Sequence, residues 1–197
     1  MKNISASDIH LINFYTRCFN YPYEELIYEL QHLFRTLETE IVDEEEYALI
    51  DQVLSIINVY QGEESEDLRE EYNKLFVQAE DQKPLCPLIA SDFLSRYARH
   101  YDSERFNELL FESGLHTTSD EMGDTLINQL EYLSMLCDQY RFGEIKEQEV
   151  LQFLNKHILI WIPAFCDVLY HAANLTFYRE IAEGLKYYIN DLTERFQ

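Results

Sequence analysis

EVLQFLNKHILIWIPAFCDVLYHAANLTFYREIAEGLKYYINDL, residues 149–192, decides the fold class. Its apolar side chains recur at three- and four-residue steps, which is helical spacing. Two long helices are predicted, meeting near Asn174. In the second, Phe177, Ile181, Leu185, Tyr188 and Leu192 share one stripe.

The same spacing continues upstream. Leu126, Leu130, Leu133 and Cys137 mark one helix, and Gly143 interrupts it. Thr118 and Glu121 have capping-box spacing, which predicts a helix start there. Ser103 is the expected cap of a helix that stops at Gly114, and residues 91–101 read as helix. Nearer the start, Ser7 is the expected N-cap of a helix carrying Leu11, Ile12, Tyr15, Cys18 and Phe19, and Pro22 breaks that run. A second helix from about Tyr23 carries Leu26, Ile27, Leu30, Leu33 and Phe34. A third carries Tyr47, Ile50, Val53, Leu54 and Ile57, and a fourth ends at Leu75 and Phe76. There is no convincing strand run, internal repeat or linker. With only 5 Gly and 4 Pro in 197 residues, few turns and long elements are implied. The expectation is one all-α domain over residues 1–197, of about nine to eleven helices, with a candidate hinge in the loop around 114–123.

Charge narrows the function. The net charge is −22, which repels phosphate backbones and anionic membranes and draws in basic ligands. Nucleic acid is therefore excluded as a partner. No run of about 18 uncharged apolar residues exists, so no membrane insertion is expected. The N-terminus lacks the apolar stretch of a secretion signal. Cys18, Cys86, Cys137 and Cys166 form no C-x-x-C pair and suit a reducing compartment, so the expected location is the cytoplasm. Residues 38–81 hold 15 Asp or Glu against Arg69 and Lys74, a net −13.

Catalytic signatures are missing. Neither phosphate-cradling glycine loop is present, nor a G-x-S-x-G elbow. His10, His32, His100, His116, His157 and His171 include no pair three or four residues apart, so none pair on a helix face as metal ligands. Glu29 and His32 form a single E-x-x-H. A di-iron bundle needs two such motifs and two further glutamates, so these two read as surface residues. His157 and His171 lie between apolar neighbours and read as core or boundary residues. Trp161 and Phe165, one turn apart, read as packing. The expectation is a non-catalytic binding protein without cofactor or metal.

Two stretches carry a resemblance. EEYNKLFVQAEDQKPLCPL (70–88) resembles the E-x-x-Y-x-x-L-F segment and proline loop of the TorD/DmsD/NarJ family of twin-arginine redox-enzyme maturation chaperones. FLNKHILIWIPAFCDVLYHAANLTFYREIAEGL (153–185) resembles that family's F-L-x-x-H-L-x-x-W-x-P-x-F segment and the F-Y-x-x-L-A after it. Phe153, Leu154, His157, Trp161, Pro163, Phe165, Phe177, Tyr178 and Ala182 occupy those places. Ser91 and Phe93 are rough equivalents of a serine and an aromatic residue that family members carry after the proline loop. Asp120 matches the aspartate of an acidic-proline-x-Asp-His motif, in which Glu121 replaces the histidine.

The resemblance implies a TorD-like all-α chaperone. It would bind the twin-arginine leader or the body of a molybdopterin-dependent redox enzyme and assist cofactor insertion before export. It also implies a monomer or a domain-swapped homodimer. An Arg-Arg pair needs carboxylates, and the apolar stretch after it needs a groove. Leu75, Phe76, Pro84 and Pro87 are the expected wall, with Tyr72 beside them, and Glu70, Glu71, Asp120 and Glu121 supply charge. Phe76→Ala is expected to lower peptide affinity without unfolding the protein. The alternatives are an acidic regulator that sequesters a basic partner, and a metal enzyme built on Glu29 and His32.

Overall fold

The computed structural model describes residues 4–40, 47–77, 83–114 and 123–196. As predicted, the chain is all-α. Among the described residues ten α-helices follow one another: α1 (Ala6–Cys18), α2 (Leu26–Glu40), α3 (Tyr47–Gly62), α4 (Ser65–Phe76), α5 (Ala90–Ser95), α6 (Ser103–Ser113), α7 (Leu126–Arg141), α8 (Glu147–Phe153), α9 (Ile162–Ala172) and α10 (Thr176–Arg195). Among the described residues the only β pairing is an isolated bridge between Ile89 and Thr125.

α1 packs on α2 and α7, and α10 packs on α9 and α3. The stripe Phe177, Ile181, Leu185, Tyr188 and Leu192 is entirely buried. Its partners include Tyr15, which stacks on Tyr188 with ring centroids 6.2 Å apart. Gly184 lets α10 approach α1 and α3 closely. A Cβ there would overlap the Tyr15 hydroxyl and crowd the Gln52 amide at 2.9 Å. Gly184→Ala is therefore expected to lower the urea midpoint, although alanine is the better helix former. Overpacking costs about 1–3 kcal/mol, against a propensity gain of about 1 kcal/mol.

An ion pair joins α1 to α10. Arg195 donates from Nη1 to Asp8 Oδ2 (3.0 Å) and from Nη2 to Asp8 Oδ1 (2.6 Å). The side chains are only 12% and 5% exposed. Asp8 also accepts from the Ser5 backbone N–H (2.8 Å) and the Tyr188 hydroxyl (3.3 Å).

Several boundaries differ from the sequence expectation. Ser5 caps α1, with Asp8 closing a capping box, while Ser7 is a buried residue of the first turn. α2 begins at Leu26. Asp102, not Ser103, caps α6 by accepting from Arg105 N (3.0 Å). Helix is expected over 91–101, but α5 ends at Ser95. Ala98 then takes a left-handed φ of 53°, and Arg99 N returns to Leu94 O (3.1 Å). Gly114 ends α6 in the left-handed conformation (φ 78°), as its lack of a Cβ permits. Residues 115–122 lie outside the described residues, and with them most of the candidate hinge and the proposed start at Thr118. Thr125 caps α7.

The largest difference falls in the deciding stretch. Its first long helix is three pieces: α8, a π-helical turn (Leu154–Ile158), and α9. Pro163 enforces the break. Inside a continuous helix its ring would meet the carbonyl four residues back, whereas at the start of α9 its missing N–H costs nothing.

Candidate peptide-binding site

α4 is amphipathic, and its two faces divide the predicted site residues. Leu68, Glu71, Tyr72, Leu75 and Phe76 turn inward. Glu64, which precedes the helix, and Glu66, Asp67 and Glu70 are exposed. The acidic face is thus solvated, as a charged helix face should be.

The inward face is an aromatic joint. Phe76 meets Phe19, Tyr72 and Tyr178 edge-on, at centroid distances of 6.0, 5.0 and 5.7 Å. Tyr72 donates to Phe19 O (3.2 Å) and meets Tyr21 edge-on at 5.3 Å. Tyr178 donates to Leu68 O (2.8 Å). Leu75 is fully buried, and Phe76 is 7% exposed. In this conformation Leu75 and Phe76 support the surface from beneath rather than forming it.

Glu71 has a structural task as well. It is buried and accepts from the Asn174 backbone N–H in the turn between α9 and α10. Glu63 accepts from Thr176 N (2.8 Å) and Phe177 N (3.2 Å). Two carboxylates from the α3–α4 region therefore meet the positive end of α10, whose own N-cap, Leu175, provides no side-chain bond. Burial raises the Glu63 pKa above its ordinary value, and the two backbone donors pull it back. Composition alone cannot separate these structural acids from the exposed ones.

The chain returns to α4 after the proline loop. Leu85 N donates to Lys74 O (3.3 Å) and Cys86 N to Leu75 O (2.7 Å), so residues 85 and 86 satisfy the last carbonyls of the helix. Arg96 fixes the return by donating to Pro84 O (2.6 Å) and Leu85 O (2.9 Å). Pro84 and Pro87 are buried. What faces solvent at this end is an apolar step. Tyr21 is 43% exposed, Val77 44% and Leu85 41%. Tyr21 rests on Tyr72, Val77 is the C-cap of α4, and Leu85 is tied to its last turn. The exposed Glu70 lies on the same helix.

The structure therefore brings Glu70, Glu71, Tyr72, Leu75, Phe76, Pro84 and Pro87 to one end of α4, but on both sides of its surface. Asp120 and Glu121 lie outside the described residues. The expected site did not include Tyr21, Val77 or Leu85. Val77 and Leu85 were legible as apolar residues just beyond the quoted Leu-Phe and between the two prolines. Asp124 was also missed. Fully buried, it accepts from Ser91 N (2.8 Å) and the Ser103 hydroxyl (3.1 Å), joining the approach to α7 to the first turns of α5 and α6.

The remaining candidates behave as follows. Glu29 accepts from the Tyr23 hydroxyl (2.6 Å), and His32 is exposed. Among the described residues, no group of three or more His, Cys, Asp and Glu side chains could hold a metal ion. His157, Trp161 and Phe165 are buried. His171 is exposed, contrary to the core or boundary reading, because it lies in the last turn of α9. Among the described residues no helix is long and apolar enough to cross a membrane.

A family model described as nitrate reductase delta subunit matches residues 30–167. The fold is similar to a crystal structure of a candidate redox enzyme maturation protein from Archaeoglobus fulgidus. The identity is 20%, 93% of each chain is covered, and the TM-score is 0.59. At that identity the likeness speaks for the fold. No curated protein matches the chain.

Proposed function

Because the chain belongs to the nitrate reductase delta subunit family, a family of molybdoenzyme maturation chaperones, we propose that it works by holding the twin-arginine leader of its client's precursor. Its role as a maturation chaperone is the family's role. In this proposal the chain acts in the cytoplasm, by binding rather than by catalysis. The site is proposed at the end of α4. Tyr21, Val77 and Leu85 take the apolar stretch of the leader. Glu70, with Asp120 and Glu121, which precede α7 in the sequence, takes the arginines. Tyr72, Leu75, Phe76, Pro84 and Pro87 hold that surface in place from below, and Glu71 anchors it to the turn before α10.

The observation that carries the reading is an exposed apolar step beside an exposed acidic helix face. Exposed charge-assisted contacts are screened by salt, while apolar burial is not. Titrating the protein into a fluorescently labelled twin-arginine leader peptide is expected to give saturable anisotropy that weakens as salt rises. Leu85→Asp is expected to weaken binding about tenfold, since an apolar contact is lost and a charge is placed on the apolar step. Unchanged affinity in Leu85→Asp would remove this surface from the site.

A further inference from the structure

A cavity of about 240 Å³ lies among α6, α7, α8 and the π-helical turn, and it shares no residue with the α4 end. Its floor is apolar and aromatic, with Leu109, Tyr132, Leu136 and Phe153. Phe153 stacks on His157 (5.0 Å) and packs on Tyr132 (4.8 Å). Arg105, Lys156 and His157 complete the polar part of the lining, with Glu149 and Gln152. The π turn supplies both Lys156 and His157, and such local widenings of a helix recur at functional sites.

Proton accounting fixes the state of His157. The Trp161 indole can only donate, and it does so to Gln129 Oε1 (2.8 Å). Gln129 Nε2 then donates to the Tyr101 oxygen (3.0 Å). The Tyr101 oxygen lies 2.7 Å from His157 Nδ1. Burial raises the Tyr101 pKa, so the phenol keeps its proton. That proton needs an acceptor in a buried place, and Nδ1 is the one in reach. The imidazole proton therefore sits on Nε2, for which the described residues provide no partner. Burial, reinforced by the Lys156 charge, lowers the His157 pKa to about 4, so the ring is neutral at pH 7.

The charges around the cavity are unequally engaged. Arg105 is paired with Glu108 at 2.7 Å, and Glu149 accepts from the Lys146 backbone N–H at 3.0 Å. Lys156 has no partner among the described residues. A chain of net charge −22 repels anions from most of its surface. Here an ammonium and a ring N–H, both without a protein partner among the described residues, adjoin an aromatic floor.

We propose that this cavity binds a small carboxylate with an apolar body, its acid group on Lys156 and the His157 Nε2–H and its body against Phe153, Tyr132 and Leu109. Two donors suit the two oxygens of one carboxylate. At about 240 Å³ the cavity falls below the range of drug-sized sites, roughly 300–1,000 Å³. It suits one ring or a branched aliphatic chain rather than a nucleotide.

The test uses the full chain and benzoate, with benzamide as the neutral isostere. The His157 ring nitrogens are followed by NMR. The sole tryptophan, Trp161, is followed by fluorescence, because the hydrogen-bond chain connects it to His157. Benzoate is expected to shift the Nε2 signal saturably, and benzamide to bind about tenfold more weakly. Lys156→Gln, an exposed change that leaves the core intact, is expected to weaken benzoate about fivefold and leave benzamide unchanged. No saturable shift with benzoate, equal binding of the two compounds, or an unaltered benzoate affinity in Lys156→Gln would overturn the proposal.

Discussion

Asp8→Ala is expected to lower the free energy of unfolding by about 3–5 kcal/mol, the cost of breaking a buried ion pair by removing one partner. Its carboxylate accepts both Arg195 Nη groups, the Tyr188 hydroxyl and the Ser5 N–H. Without it the guanidinium, whose side chain is only 12% exposed, keeps only the more exposed Asp191 carboxylate at 3.1 Å. α1 also loses the return half of its capping box, while Ser5 still accepts from the backbone N–H of residue 8. Domains of this kind are stable by about 5–15 kcal/mol, so the loss is a large part of the total. Replacing both partners together, Asp8→Leu with Arg195→Met, is expected to recover much of it, because no buried guanidinium is then left with the exposed Asp191 as its one carboxylate. Urea unfolding followed by circular dichroism decides the matter. A loss below about 1 kcal/mol in Asp8→Ala would mean that the pair behaves as an exposed one.

Phe76→Ala is the second large effect, and here the structure reverses the sequence expectation. The ring is 7% exposed and touches three other aromatic rings from three elements. Truncating a buried phenylalanine costs about 3–5 kcal/mol, through lost transfer energy and the cavity left behind. The variant is therefore expected to be strongly destabilised. Any loss of peptide binding then follows from a displaced α4 end as much as from a missing contact. Val77→Ser and Leu85→Asp, at positions 44% and 41% exposed, should change stability by no more than about 0.5 kcal/mol. They separate binding from folding, which Phe76→Ala does not. A Phe76→Ala protein as stable as the parent would show that the joint is looser than its ring contacts indicate.

The contrast between Phe76 and Leu85 shows what the sequence could and could not reveal. Helical spacing placed the core stripes of α1, α7 and α10 directly, because one face of each is packed and the period records it. The break before Pro163 was carried by the proline, yet the strongly apolar run around it masked the interruption. The direction of Phe76 was not legible, since a Leu-Phe at a helix end satisfies a core and a groove equally well. Glu71 and Glu70 are adjacent and chemically alike. Only the three-dimensional position of Asn174 makes one an internal anchor and leaves the other in solvent. The Trp161–Gln129–Tyr101–His157 chain joins residues from distant parts of the sequence, and no local pattern announces it.

The most direct test of the central claim is capture of the client. The tagged chain is expressed in its own host under anaerobic growth, and bound proteins are identified by mass spectrometry, with and without the client's leader. The account predicts that the precursor of one molybdoenzyme catalytic subunit dominates, and that deleting its twin-arginine leader sharply reduces capture. A mixture of unrelated basic proteins that washes off with salt would contradict it, because net charge alone would then explain the binding.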